Sequence, residues 1–149
     1  MSNAFLHVGL NLDNKRILIV GAGTIALRKL KKLLNYSNNI TVVSNEFDEE
    51  FEYINITKKK KDFDNSDLNN IDIVFICTDN VSLNEEIAKC CQEKNILYNN
   101  ATSRNEMDFK MLATLEYDGY TISLSKDQNL KETTKFKKEL EELLNKYKI

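Results

Sequence analysis

A chain of 149 residues has the length of one ordinary domain with room for a small appendage, and at that size it can bury roughly two-thirds of its unfolded surface without disulfide or metal staples. Net charge of −2 with 30% charged residues speaks for a soluble protein and against nucleic acid as a partner. No apolar run approaches membrane-spanning length, the N-terminus lacks a signal-peptide core, and three unpatterned cysteines with one histidine point to the reducing cytosol, away from a metal site.

The first element is the most informative. From Phe5 a short lead-in reaches Arg16-Ile17-Leu18-Ile19-Val20, an apolar β-branched strand that ends at Gly21-Ala22-Gly23 and passes directly into a helical pattern containing Ala26. Strand, Gly-x-Gly-x-x-Ala and helix in this order form the phosphate-binding turn of dinucleotide-binding domains. Gly21 permits the tight turn, Gly23 lets backbone approach a pyrophosphate, and small Ala26 lets the helix pack on the strand. The helix start then offers free N–H groups and the positive end of its dipole. The alternative is a tight strand-to-helix turn with no ligand.

Leu27, Leu30, Leu33 and Leu34 continue at helical spacing among basic residues, residues 35–39 break the helix, and Ile40-Thr41-Val42-Val43 reads as a second strand. A third, shorter strand is expected over Tyr53-Ile54-Asn55-Ile56-Thr57, with Lys58 to Lys61 as a solvated turn after it. Ile71 to Cys77 is the next strand, and it ends at Thr78-Asp79-Asn80. Leu83, Ile87, Ala88 and Cys91 form a further helical stripe, and Ile96-Leu97-Tyr98 a short strand ending at Asn99-Asn100. Each cysteine reads as a small buried hydrophobe. Alternating strands and helices predict an α/β, Rossmann-like parallel sheet with right-handed crossovers. Its ligand would lie beyond the carboxyl ends of the strands, bringing Gly21, Ser44 to Glu46, Thr78-Asp79 and Asn100 to Ser103 to one crevice.

The last third changes character. Two strand-like runs flank Asp118-Gly119, a strong hairpin signal, and residues 130–149 form an amphipathic helix with Phe136, Leu140, Leu143, Leu144 and Tyr147 on one stripe. The expected division is residues 5–106 as the nucleotide-binding domain and 107–149 as a C-terminal β-hairpin and helix. That appendage serves either for dimerisation or to cover one edge of the sheet.

In this order the pieces resemble the precorrin-2 dehydrogenase family of siroheme biosynthesis, whose bifunctional members are also sirohydrochlorin ferrochelatases. The family's glycine turn and following Arg-Lys are matched by Gly21 to Lys29, its strand-ending Thr-Asp by Thr78-Asp79 and a later asparagine by Asn84. Its asparagine at a strand end is matched by Asn100, and its phenylalanine-led hairpin and terminal helix by residues 109–124 and 130–149. The resemblance implies oxidation of precorrin-2 to sirohydrochlorin with NAD as hydride acceptor, while cysteine usage and the C-terminal hairpin and helix add the expectation of a cytoplasmic homodimer. It places cofactor contacts at Thr24, Ile25, Asn45 and Glu46, with Gly21, Gly23 and Thr78 beside them. Glu46 stands near where a carboxylate takes a ribose 2′-hydroxyl, and no nearby arginine would hold a 2′-phosphate, which favours NAD over NADP. It reads equally as an ordinary acidic residue opening the next short helix.

Departures from the family are informative. Members usually carry an aspartate soon after the strand-ending asparagine, a general base; here the run is Asn100-Ala101-Thr102-Ser103, with Ser103 in that place. A hydroxyl orients but does not take up a proton at neutral pH as a carboxylate does. Asp79, Glu106 or Asp108 are the substitutes, unless the step needs no strong base. Ser103 and Asp79 are therefore the catalytic candidates. Asn100 and Arg104 are the substrate-contact candidates, and Lys110, Lys126, Arg28 and Lys29 are further cations that a polycarboxylate could use or that are simply solvated. Fuller family members continue into a helical domain after the terminal helix. Three readings follow: an NAD-dependent dehydrogenase, a catalytically degenerate NAD- or tetrapyrrole-binding module, and a bifunctional dehydrogenase/ferrochelatase. Ser103 and the lack of a metal-ligand pattern speak against the last.

Overall fold

The computed structural model describes residues 5–104, 106–126 and 129–147. They form two compact units. One runs from Gly9 to Phe109, and the other joins the stretch up to Val8 to the residues from Lys110 onward.

The larger unit is a five-stranded parallel sheet in the order β3-β2-β1-β4-β5, built from β1 (Ile17–Val20), β2 (Ile40–Ser44), β3 (Thr57–Lys60), β4 (Ile73–Ile76) and β5 (Leu97–Asn100). Every residue of β1 and β4 is buried, as continuous Val/Ile/Leu runs require when a parallel strand is covered on both faces. Helix α1 (Thr24–Leu33) crosses from β1 to β2 and buries Ala26, Leu27, Leu30 and Leu33. Helix α2 (Val81–Glu93) crosses from β4 to β5 and buries Asn84, Ile87, Ala88 and Cys91. Val20 lies level with Val43 and Ile76, and Ile76 with Asn100, so four strands end together. The α/β fold expected from the alternation is the one observed.

Two sequence expectations need correction. Residues 53–57 do not form the third strand: Glu49–Tyr53 is a 3-10 turn that buries Phe51, and the strand is Thr57–Lys60. The lysines read as a solvated turn are therefore mostly the strand itself. β3 is the sheet edge with all four residues exposed, so hydrogen bonding to β2 defines it and no apolar alternation is needed. Lys58 anchors it to the preceding turn, its Nζ donating to the carbonyl oxygens of Phe51 (2.6 Å) and Ile54 (3.1 Å). Cys77 and Cys91 are buried as expected, but Cys90 is only half-buried and donates to Asn65 Oδ1.

The smaller unit pairs β6 (Ala113–Tyr117) with β7 (Tyr120–Leu124) in an antiparallel hairpin. Asp118 and Gly119 take φ of 47° and 79°, the left-handed pair that a two-residue hairpin turn demands. Helix α3 (Leu130–Lys146) begins at Asn129, whose side chain accepts from the Glu132 amide. The end of the expected helix, residues 148 and 149, lies outside the described residues. On α3, Phe136, Leu143 and Tyr147 are exposed while Leu140 and Leu144 are half-buried. Against the division at 106/107, residues 107–109 stay with the sheet. The Asp108 amide donates to Tyr98 O (2.9 Å), Asn99 Nδ2 donates to Phe109 O (3.0 Å), and the Phe109 ring meets Phe75 edge-on at 5.4 Å.

Candidate functional site

A cleft of about 850 Å³ opens beyond the carboxyl ends of the strands, lined by residues that follow β1, β2, β3 and β4 together with Thr102. Its centre is β1, from which the chain crosses one way to β2 while β4 and β5 continue the other way. Such a switch point leaves a crevice, because the two crossovers leave on opposite faces.

The glycine turn forms its floor. Gly21 has φ of +102°, and a Cβ there would lie 2.7 Å from the Cys77 carbonyl oxygen of the neighbouring strand end, so only glycine fits. A Cβ on Gly23 would meet nothing within 4 Å, which leaves space open above the turn. Gly23 is also the N-cap of α1, with no side-chain cap and no acidic residue in the first turn. The first amides of α1 and the positive end of its dipole are thus available to an anion. A tight turn, an open approach and an uncapped helix start fit a pyrophosphate.

On the β2–β3 side the groups are polar and paired with each other, and all but Asp67 are exposed or half-buried. Asn45 Nδ2 donates to Asp62 Oδ1 at 3.0 Å, with Glu46 exposed beside it. Lys61 Nζ donates to Asp64 and Asp67 carboxylates, each at 2.6 Å. Those hydrogen bonds raise the Lys61 pKa, and the Lys61 bond, with Ser66, pulls Asp64 down to about 2. Lys61, the one lysine in the cleft wall among the described residues, is therefore already neutralised. The Asp48 amide donates to Ala22 O at 2.9 Å and ties this side to the glycine turn.

On the β4–β5 side, the exposed carboxylate of Asp79 apart, the groups are neutral and joined through buried asparagines. Asn84, fully buried on α2, donates through Nδ2 to Thr78 O (2.9 Å) and Thr102 Oγ1 (3.0 Å), and its Oδ1 bonds the Thr78 hydroxyl. Thr102 contacts Asn100 Oδ1 through its amide (3.1 Å) and its hydroxyl (3.0 Å). One chain of bonds thus joins the end of β4, the first turns of α2 and the loop after β5. The buried amides of Asn84 and Asn100 find their partners in this chain of bonds, as buried polar groups generally must.

The structure brings Gly21, Gly23, Thr24, Ile25, Asn45, Glu46, Thr78 and Asp79 to the cleft wall. It does not bring Asn100, Ser103 or Arg104 there. Asn100 is 1% exposed because it ends β5 in register with Ile76 and faces inward. The Ser103 hydroxyl accepts from the Glu106 amide at 3.0 Å, closing the local turn, and Arg104 is exposed on the same loop. Asp108, another candidate base, accepts from the Tyr98 amide at 3.2 Å beside β5. Sequence reasoning missed Asp62 and Phe63 as wall residues, placed Thr102 at the crevice only within the Asn100 to Ser103 run, and left Asn84 without a role. An asparagine on the apolar stripe of α2 was the available signal, since a buried amide must have partners.

A doubly wound sheet with a glycine turn at its switch point and an open helix start defines a dinucleotide-binding domain. Comparison with known proteins agrees: an NAD(P)-binding family profile matches residues 8–113, and the chain belongs to that family. Its relatives are the siroheme-pathway proteins that the sequence resembles. The siroheme synthase of Buchnera aphidicola is 26% identical over 125 residues, 81% of this chain and 26% of that one. The precorrin-2 dehydrogenase of Bacillus subtilis is 33% identical over 88 residues, 56% of this chain and 53% of its own. The solved structure of SirC, a precorrin-2 dehydrogenase, shares the fold with a TM-score of 0.77 and 23% identity over 91% of this chain and 69% of that one. The chain therefore spans 53% of the Bacillus relative and 26% of the Buchnera one.

Proposed function

We propose that this protein is an NAD-dependent dehydrogenase that oxidises precorrin-2 to sirohydrochlorin. The observation that carries the cofactor half is the turn at Gly21 and Gly23 opening onto an uncapped α1. The substrate half rests on the names of the relatives and on the resemblance above. Bound NAD⁺ would supply the hydride acceptor. Gly21, Gly23, Thr24 and Ile25 hold the pyrophosphate. Glu46 takes the adenosine ribose, with Asn45 fixed beside it by Asp62. Lys61, already held by Asp64 and Asp67, gives a 2′-phosphate no spare charge, in keeping with NAD over NADP.

Thr78 directs its hydroxyl to Asn84, so its contact with the cofactor is through backbone. Asp79, the carboxylate at the end of β4 in the cleft wall, is the proton acceptor in this reading, and Ser103 shapes the loop. Asn100 acts through Thr102, and Arg104 is exposed where a substrate carboxylate could reach it. A cytoplasmic homodimer completes the reading, with the exposed Phe136, Leu143 and Tyr147 of α3 as the apolar face a second copy would cover. Mixing the protein with NAD⁺ and precorrin-2 should yield NADH absorbance and sirohydrochlorin. Tight NAD⁺ binding without turnover would replace this reading with that of a degenerate module.

A further inference from the structure

The hydrogen bonds of the β4–β5 side have forced directions, and those directions say what Thr102 can offer a ligand. Asn84 Nδ2 bonds the Thr78 carbonyl, which can only accept, so the amide orientation of Asn84 is set. Its Oδ1 then receives the Thr78 hydroxyl proton, and its second N–H is donated to Thr102 Oγ1. At the far end, Asn100 Oδ1 accepts from the Thr102 amide, which can only donate, so that side chain is set as well. The Thr102 hydroxyl must therefore send its single proton to Asn100 Oδ1. A hydroxyl has one proton and two lone pairs. With the proton given to Asn100 and one lone pair taken by Asn84, Thr102 keeps one lone pair. Thr102 is exposed and is the residue after β5 that lines the cleft.

We propose that Thr102 recognises the nicotinamide end of the dinucleotide, its hydroxyl accepting an N–H of the carboxamide while offering no proton in return. This rests on the reading of the cleft as an NAD site. In a doubly wound sheet the adenosine lies on the β2 side of the glycine turn and the nicotinamide on the β4 side, where Thr102 stands. An acceptor fixed behind by two buried asparagines selects for an amide. A carboxylate in the same place, acceptor only, would set lone pair against lone pair.

Titration calorimetry with NAD⁺, ADP-ribose and nicotinic acid adenine dinucleotide tests it on the native protein, Thr102→Val and Thr102→Ser. ADP-ribose lacks the nicotinamide and reports the rest of the site. Wild type should bind NAD⁺ more tightly than the nicotinic acid analogue. Thr102→Val should weaken NAD⁺ by about three- to tenfold, the worth of one hydrogen bond, narrow the preference over the acid and leave ADP-ribose unchanged. Thr102→Ser should behave as wild type. NAD⁺ affinity unaltered in Thr102→Val, or lost in step with ADP-ribose, overturns the assignment. Wild type that binds neither NAD⁺ nor ADP-ribose would instead remove the reading of the cleft itself.

Discussion

The two sides of the glycine turn are built on opposite principles. Toward β2 and β3 the cleft wall is polar and exposed, with Asn45 on Asp62, and its Lys61 reaches back to the exposed Asp64 and the buried Asp67. Toward β4 and β5 it rests on neutral, buried amides, with Asn84 and Asn100 almost without solvent contact, while Asp79 and Thr102 are exposed. Exposed pairs contribute little to stability and re-form with water when one partner is lost. Buried amides leave unsatisfied groups behind when cut, at a cost of about 1–3 kcal/mol each. The Asn45–Asp62 pair can therefore vary with little harm to the fold, while the buried asparagines of the second side cannot.

The largest expected effect falls on Asp79, the exposed carboxylate that follows β4. Replacing Asp79 by Asn should lower the NADH-producing rate by roughly 10²–10⁴-fold if it is the proton acceptor, whereas Ser103→Ala should cost little, since Ser103 does not line the cleft. Steady-state kinetics decide, and an undiminished rate in Asp79→Asn sends the search to another base.

At the seam between the sides, Gly21→Ala combines a left-handed backbone angle with an overlap against Cys77 O, and should destabilise by about 2–4 kcal/mol in urea unfolding. Gly23→Ala meets nothing within 4 Å and should unfold near the wild-type midpoint while losing NAD⁺ affinity. Equal stability loss in both would show that the turn is strained throughout.

Asn84→Leu should cost about 2–3 kcal/mol, because the Thr78 and Thr102 hydroxyls lose their shared partner. Asn45→Ala should cost under about 0.5 kcal/mol, since Asp62 stays hydrated. Similar values for the two would erase the contrast between the sides.

The smallest effect belongs to a pair remote from the cleft. Hydrogen bonds from the Arg16 side chain and amide hold Asp72 at about 2, against its usual 3.8. A depressed carboxyl stabilises the fold fully above 3.8 and loses that contribution as pH falls toward 2. The acid limb of the urea midpoint should be slightly flatter in Asp72→Asn, with the difference confined to that range.

Legibility followed the same contrast. Strands β1 and β4, the turn at Gly21 and the stripes of α1 and α2 could be read because burial on both faces, or on one stripe, leaves an apolar period in the sequence. β3 could not, because an edge strand of lysines is held by backbone pairing that carries no side-chain pattern. In the cleft, residues directly after a strand were found by topology alone. Which residue of the Asn100 to Ser103 run faces the cleft could not be read, because a loop's side-chain directions depend on partners such as Asn84 that lie far away in sequence: Thr102 lines the wall and Ser103 does not.

The lysines of β3 have one more consequence. The outer backbone of an edge strand is a template on which another chain can add a strand, the first step of amyloid-like stacking. Here any arriving strand must run along Lys58, Lys59 and Lys60, all exposed. Like charges brought side by side on a docked copy would repel it. The run that conceals the strand from sequence reading also keeps the sheet from growing beyond five strands.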